Sequence, residues 1–144
     1  MRVYLDVNCF FDFVLGREKF YNEVWQIITL AIHNDIICGT NPNNFPFAFH
    51  HLKKDESKKK LNHKDFKHRL ALLRKSIECS VLDGEVIDAA LSMSKPADLE
   101  DAVILQSALQ FKADILISRD KALLKNSIVK TMTPGQFLKS WVTK

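Results

Sequence analysis

Residues 98–120, DLEDAVILQSALQFKADILISRD, read as a helix, a turn, a short strand and a second acidic loop. At about 100° per residue, Glu100, Gln106, Ser107 and Gln110 fall on one side of the helix, with Leu105, Ala108 and Leu109 roughly opposite. Asp98 and Asp101 lie with the apolar group. An unpaired buried carboxylate costs several kcal/mol or is neutralised by a shifted pKa. Two of them at the start of a mostly buried helix therefore act as a cap or hold a metal.

Outward from this stretch the chain alternates strands and helices. Val3 to Leu5 suits a buried strand that ends in Asp6, Val7 and Asn8, and Cys9 to Leu15 predicts a helix closed by Gly16. Phe20 to His33 carries Val24, Ile27, Ile28 and Ala31 at the spacing of one buried helical face. Ile36 to Cys38 follows as a second strand. Pro42 and Pro46 limit the next helix to about Phe47–Lys53. KKDESKKKLNHK reads as an exposed loop or a helix start, passing into an amphipathic helix from Asp65 to Glu78. Cys79 to Leu82 predicts a third strand, and Asp83 caps a helix from about Gly84 to Met93. Beyond the opening stretch, whose strand is Ile115 to Ser118, the region of Val129 predicts a fifth strand. Thr133 and Pro134 start a last helix through Phe137, Leu138 and Trp141.

This alternation predicts a three-layer α/β/α sandwich with a mainly parallel sheet of four to five strands, in a single domain spanning residues 1–144. Sheets of this kind bind ligands beyond the carboxyl ends of their strands. Composition agrees with a globular chain: 47% hydrophobic and 26% charged residues, with four Gly and four Pro, exclude a disordered or fibrous protein. A net charge of +4, concentrated between Lys53 and Lys75, permits a polyanionic partner. Cys9, Cys38 and Cys79 are odd in number and far apart, so they suggest neither a disulfide framework nor a thiolate zinc site. The start lacks a signal-peptide hydrophobic region, and no apolar run approaches the roughly 20 residues that cross a bilayer. The expectation is a soluble protein of the cytoplasm with no membrane association.

The acids gain meaning together. Asp6 follows the first strand and Asp120 the fourth, while Asp98 and Asp101 begin the helix that leads into the fourth strand, so all belong at one edge of the sheet. Taken singly, Asp6 and Asp98 are also good helix caps, and Asp120 is an ordinary turn acid. Two like charges about 5 Å apart repel by roughly 3 kcal/mol at an effective dielectric near 20. A hard divalent cation removes that penalty. Oxygen-only ligands favour Mg²⁺ or Mn²⁺, and phosphodiester hydrolysis is the chemistry such an ion assists, by activating water and stabilising charge on phosphate.

LDVNCFFDFVLGR at the start, DLEDAVILQSALQFKADILISRD and the closing TPGQFL together resemble the motifs of the PIN domain family, in order and over nearly the whole chain. The resemblance implies a metal-dependent endoribonuclease, most often the toxin of a bacterial toxin–antitoxin pair, acting on RNA, forming a homodimer and inhibited by a cognate antitoxin. Carried over by position, Asp6, Asp101 and Asp120 are the catalytic, metal-holding acids, and Asp98 is an additional metal ligand. Asn8 and Ser118 match polar positions that orient a ligand or water, and Arg119 a phosphate contact.

One position departs from the pattern. The family usually carries an acid on the short helix after the second strand, and here that position is Phe47, within NNFPFAFHHLKK. Asn44, one turn earlier, and His50, one turn later, are the neutral groups nearest to it. A weakened metal site follows, and with it the alternative of an inactive PIN-like module that binds RNA or protein. Phe45, Phe47 and Phe49 are candidates either for the core or for stacking against bases.

Overall fold

The computed structural model describes residues 1–54 and 62–144. The exposed loop or helix start expected across the basic run lies, for residues 55–61, outside the described residues. The element order is β1 (Arg2–Leu5), α1 (Val7–Val14), α2 (Glu18–Ile32), β2 (Ile37–Thr40), α3 (Asn44–Lys54), α4 (His63–Ser76) and β3 (Ile77–Cys79). There follow α5 (Gly84–Leu91), α6 (Leu99–Gln110), β4 (Ile115–Ile117), α7 (Lys121–Leu124), β5 (Thr131–Met132) and α8 (Pro134–Val142). The five strands are all parallel, in the order β3-β2-β1-β4-β5. β1 therefore lies at the centre, and its carboxyl end opens between those of β2 and β4.

Side chains alternate across this sheet as a strand's period of two requires. Val3, Leu5, Cys38, Ile77, Ile115 and Ile117 face a layer built from α1, α2, α3, α4 and α8. Tyr4 and Leu116 face the other layer, where Ile104, Leu105, Ala108 and Phe111 of α6 and its end pack with Leu123 and Val129. The result is the expected α/β/α sandwich. Gly39 of β2 is where the sheet meets Phe111: a Cβ there would run into the ring.

Several boundaries move from their sequence-based positions, each for a local reason. β3 begins at Ile77, not Cys79, because Ile77 pairs beside Cys38 and ends the helix at Ser76. α3 begins at Asn44 rather than Phe47, so Pro46 lies in its first turn, where a backbone N–H has no helical partner to lose. β2 runs on to Thr40, and α7 is a short helix that the pattern after Asp120 did not announce. In α6, Ser107 is fully buried and Leu109 is 43% exposed, the reverse of the wheel. The helix is covered by both the sheet and α5, so its buried arc is wider than one apolar stripe.

Candidate functional site

Each acid is positioned by the local rules of its own element. Asp6 ends β1 and caps α1: its Oδ1 accepts from the Val7 N–H at 2.6 Å. Asp98 caps α6 by accepting from the Asp101 N–H at 3.0 Å. Asp120 caps α7, with Oδ1 accepting from the N–H groups of Ala122 at 2.8 Å and Leu123 at 3.1 Å. The cap readings of Asp6 and Asp98 thus hold, and Asp120, expected as a turn acid, is a cap as well. Asp101, in the first turn of α6, makes no hydrogen bond through its carboxylate among the described residues, and its oxygens are the least committed of the set.

Ser118 ties two of these acids into one unit. Its hydroxyl donates to Asp6 Oδ2 at 2.7 Å and accepts from the Asp120 N–H at 3.0 Å. Ser118 is fully buried and Asp6 is 1% exposed, so the hydroxyl's one proton is committed to the acid. Asn8 lies half-buried in the first turn of α1, one helical step beyond Val7.

The electrostatics of the acids are coupled. Burial pushes the Asp6 carboxyl up to about 6, and the charges of Asp120 and Asp101 push it the same way, against the hydrogen bonds from Ser118 and Val7. Asp101 is also pushed up to about 6, first by desolvation and then by Asp120, Asp98 and Glu100. Asp6, Asp101 and Asp120 therefore share one field at the carboxyl edge of the sheet, although they come from three separate elements. Charge and atom type suit a hard divalent cation, which would relieve the mutual repulsion. Among the described residues, no three His, Cys, Asp or Glu side chains are grouped so that they could hold a metal ion as they stand.

Arg119 has a partner that the sequence did not suggest. Its guanidinium grips Asp12 with two hydrogen bonds, at 2.7 and 2.9 Å, and lies 3.7 Å over the Phe20 ring. Two of its five N–H donors are engaged by a fully buried carboxylate, which gives Arg119 a structural role. Sequence reasoning passes over Asp12, which sits inside the apolar run from Cys9 to Leu15. A carboxylate inside such a run is itself the signal that a buried cation must meet it.

Beyond Asp6 the carboxyl edge opens into a cleft of about 380 Å³ bounded by α3 on one part and by α5 and α6 on another. Asn44 stands in its lining, with Nδ2 donating at 2.8 Å to Thr40 Oγ1, which in turn donates to the Leu5 carbonyl. Phe47 lines the same cleft and is 53% exposed, whereas Phe45 and Phe49 pack against Phe10 and Phe66. Phe47, where the resemblance led one to expect an acid, thus presents an exposed ring to the cleft that Asp6 also lines.

The PIN domain family matches residues 2–122. The chain belongs to the PIN domain family. This PIN domain is similar in fold to a chain of VapBC2 from Rickettsia felis, seen bound to a DNA fragment from their promoter. That similarity has a TM-score of 0.66 at 12% identity, over 92% of this chain and 98% of that one. It is also similar to a chain of FitAcB from Neisseria gonorrhoeae, with a TM-score of 0.50 at 16% identity over 92% of this chain and 98% of that one. No curated protein matches the chain by sequence. PIN domains generally use divalent metals. Among the described residues of this one, no helix is long and apolar enough to cross a membrane.

Proposed function

We propose that residues 1–144 form a single PIN domain that acts as a metal-dependent endoribonuclease in the cytoplasm, the toxin of a toxin–antitoxin pair. The observation that carries this reading is the shared field of Asp6, Asp101 and Asp120, two of which are pushed up to about 6. These three would hold Mg²⁺ or Mn²⁺, with Asp98 fixing the first turn of α6 and lending its charge. A divalent ion supplies Lewis-acid stabilisation of a phosphoryl oxygen and makes water more acidic. The chain's own part is placement. Ser118 and the Val7 N–H orient the two oxygens of Asp6, the Ala122 and Leu123 N–H groups orient Asp120, and Asp101 is left open toward the incoming strand.

RNA as substrate follows from the family resemblance and from the basic surface of α4, where Lys64, Lys67, Arg69 and Lys75 would attract phosphates. The resemblance likewise supplies a cognate antitoxin and a homodimer as partners. Cleavage of single-stranded RNA in Mn²⁺ by the wild type and by Asp6→Asn tests the assignment. Loss of cleavage in the variant is expected, and equal cleavage by both sinks it.

A second reading is supported by Phe47. With a phenyl ring where the family usually carries an acid, one negative charge is missing from the metal site, and the domain serves as a non-hydrolytic RNA-binding or protein-binding module. Calorimetry separates the two: RNA affinity without measurable Mg²⁺ or Mn²⁺ binding favours the second.

A further inference from the structure

The cleft beside Asp6 has features that an acid site alone does not need. Its lining is mainly apolar, and it includes two large side chains left in water, Phe47 at 53% and Leu99 at 47% exposure. Lone exposed apolar residues are ordinary, but here they come from α3 and α6 and meet across one cavity, next to a buried carboxylate. The same lining brings carboxamides. Asn41 Oδ1 accepts from the Asn43 N–H at 2.9 Å and so fixes the turn into α3. The carboxamide of Asn43 makes no hydrogen bond among the described residues, and it is exposed at the cleft.

An aromatic face, an aliphatic face and an unused carboxamide are what a flat, π-faced ligand with polar edges requires. We propose that this cleft is a nucleobase pocket, in which Phe47 stacks on one unpaired base of an RNA strand and Asn43 reads its edge. The occupant follows from continuity: Asp6 belongs both to the acid set and to the cleft lining, so a strand with a phosphate at the acids has a base of the same segment at the cleft. Unpaired bases are the parts of RNA that proteins recognise through aromatic stacking and exposed hydrogen-bonding edges. A carboxamide pairs with adenine in two places, N6 and N7, and adenine is the base expected here. The pocket rests on the RNA reading above. It also accounts for Phe47, because the ring that removes a charge from the metal site supplies a surface for substrate.

The test uses fluorescence anisotropy of labelled single-stranded RNA hexamers that carry A, G, C or U at one central position within a common sequence, in EDTA and low salt so that no hydrolysis occurs. The wild type should bind the A-containing hexamer most tightly. Phe47→Ala should weaken that binding about 10-fold or more, the scale of one lost base–aromatic stack, and Phe47→Trp should restore it. Asn43→Ala should abolish the preference among the four bases. Equal binding by the wild type and Phe47→Ala, absence of discrimination by the wild type, or absence of wild-type binding each overturns the pocket. So does a Phe47→Ala protein that keeps its RNA affinity but loses affinity for a protein partner, which would assign the cleft to protein. The nuclease reading fails separately, by equal cleavage in wild type and Asp6→Asn, so the two can be told apart. Phe47 is exposed on α3, and circular dichroism of the alanine variant checks that its fold is intact.

Discussion

Arg119 closes on Asp12 from 107 residues away in sequence, Nε to Oδ2 at 2.7 Å and Nη2 to Oδ1 at 2.9 Å. The pair joins α1 to the turn that carries Ser118 and Asp120. Arg17 adds a weaker contact to Asp12 at 3.3 Å, through a side chain that is 37% exposed. Removing one partner of a buried pair leaves an uncompensated charge and costs about 3–5 kcal/mol. Arg119→Ala should therefore lose about 3 kcal/mol in urea unfolding, and Arg17→Ala less than about 1 kcal/mol. The double variant Asp12→Ala/Arg119→Ala should be more stable than the sum of the single losses predicts.

The upward shifts of Asp6 and Asp101 set a direction for pH. Both carboxyls stand near 6 in the folded protein against an ordinary 3.8, so the folded state holds protons more tightly than the unfolded state between about pH 4 and pH 6. Metal-free protein should accordingly lose stability as pH rises through that window and level off above it. Asp6→Asn removes the buried charge and should stabilise metal-free protein at pH 7 by about 2 kcal/mol, with the gain vanishing near pH 4. A thermal melt of both proteins at the two pH values decides this, and a gain that persists at pH 4 contradicts it.

Asn substitutions separate capping from metal holding, because Asn caps a helix as well as Asp does. Asp98→Ala should cost about 1 kcal/mol and Asp98→Asn almost nothing. Mn²⁺ should raise the Tm of the wild type, and this rise should be lost in Asp101→Asn and Asp120→Asn while largely surviving in Asp98→Asn. Equal loss in all three would make Asp98 a full ligand.

Ser118→Ala strips a hydrogen bond from Asp6 and leaves the Asp120 N–H without its partner. A cost of about 1–3 kcal/mol is expected. Because the Ser118 hydrogen bond holds the Asp6 carboxyl down, the Asp6 pKa should rise further. Carboxyl NMR titration in metal-free protein reads this shift.

Gly39→Ala tests the packing under the sheet. The added Cβ meets the Phe111 ring, which is itself covered by the Arg2 guanidinium 4.1 Å above it. Overpacking of this kind costs about 1–3 kcal/mol. Phe111→Leu in the same chain should recover part of the loss, by opening room over β2.

Much of the fold was legible because its signals are local. The 3.6-residue period of Val24, Ile27, Ile28 and Ala31 marked α2, Gly16 at φ +63° closed α1, and Thr133 with Pro134 started α8. What was not legible depends on partners distant in the chain. The start of β3 is fixed by its pairing with β2, and the extent of the buried face of α6 by a sheet and a neighbouring helix. The same division holds in the site. The acids stood out through their places after strands and at helix starts. The capture of Arg119 by Asp12, the bridge through Ser118 and the support of Asn44 by Thr40 are contacts across 107, 112 and 4 residues. The first two have no sequence spacing from which to be read, and the third became visible only when α3 proved to start at Asn44.

The place of β1 in the middle of the sheet has a consequence during translation. The strand made first waits for neighbours on both sides, and the bond from Ser118 to Asp6 joins residues 112 apart in the chain. A chain leaving the ribosome N-terminus first carries Asp6 long before β4 exists to pair with β1, and the acid set has no form until Asp120 has emerged. For the site proposed above, a product cut short before Asp120 is expected to lack activity, and the activity is withheld until synthesis has passed the last acid.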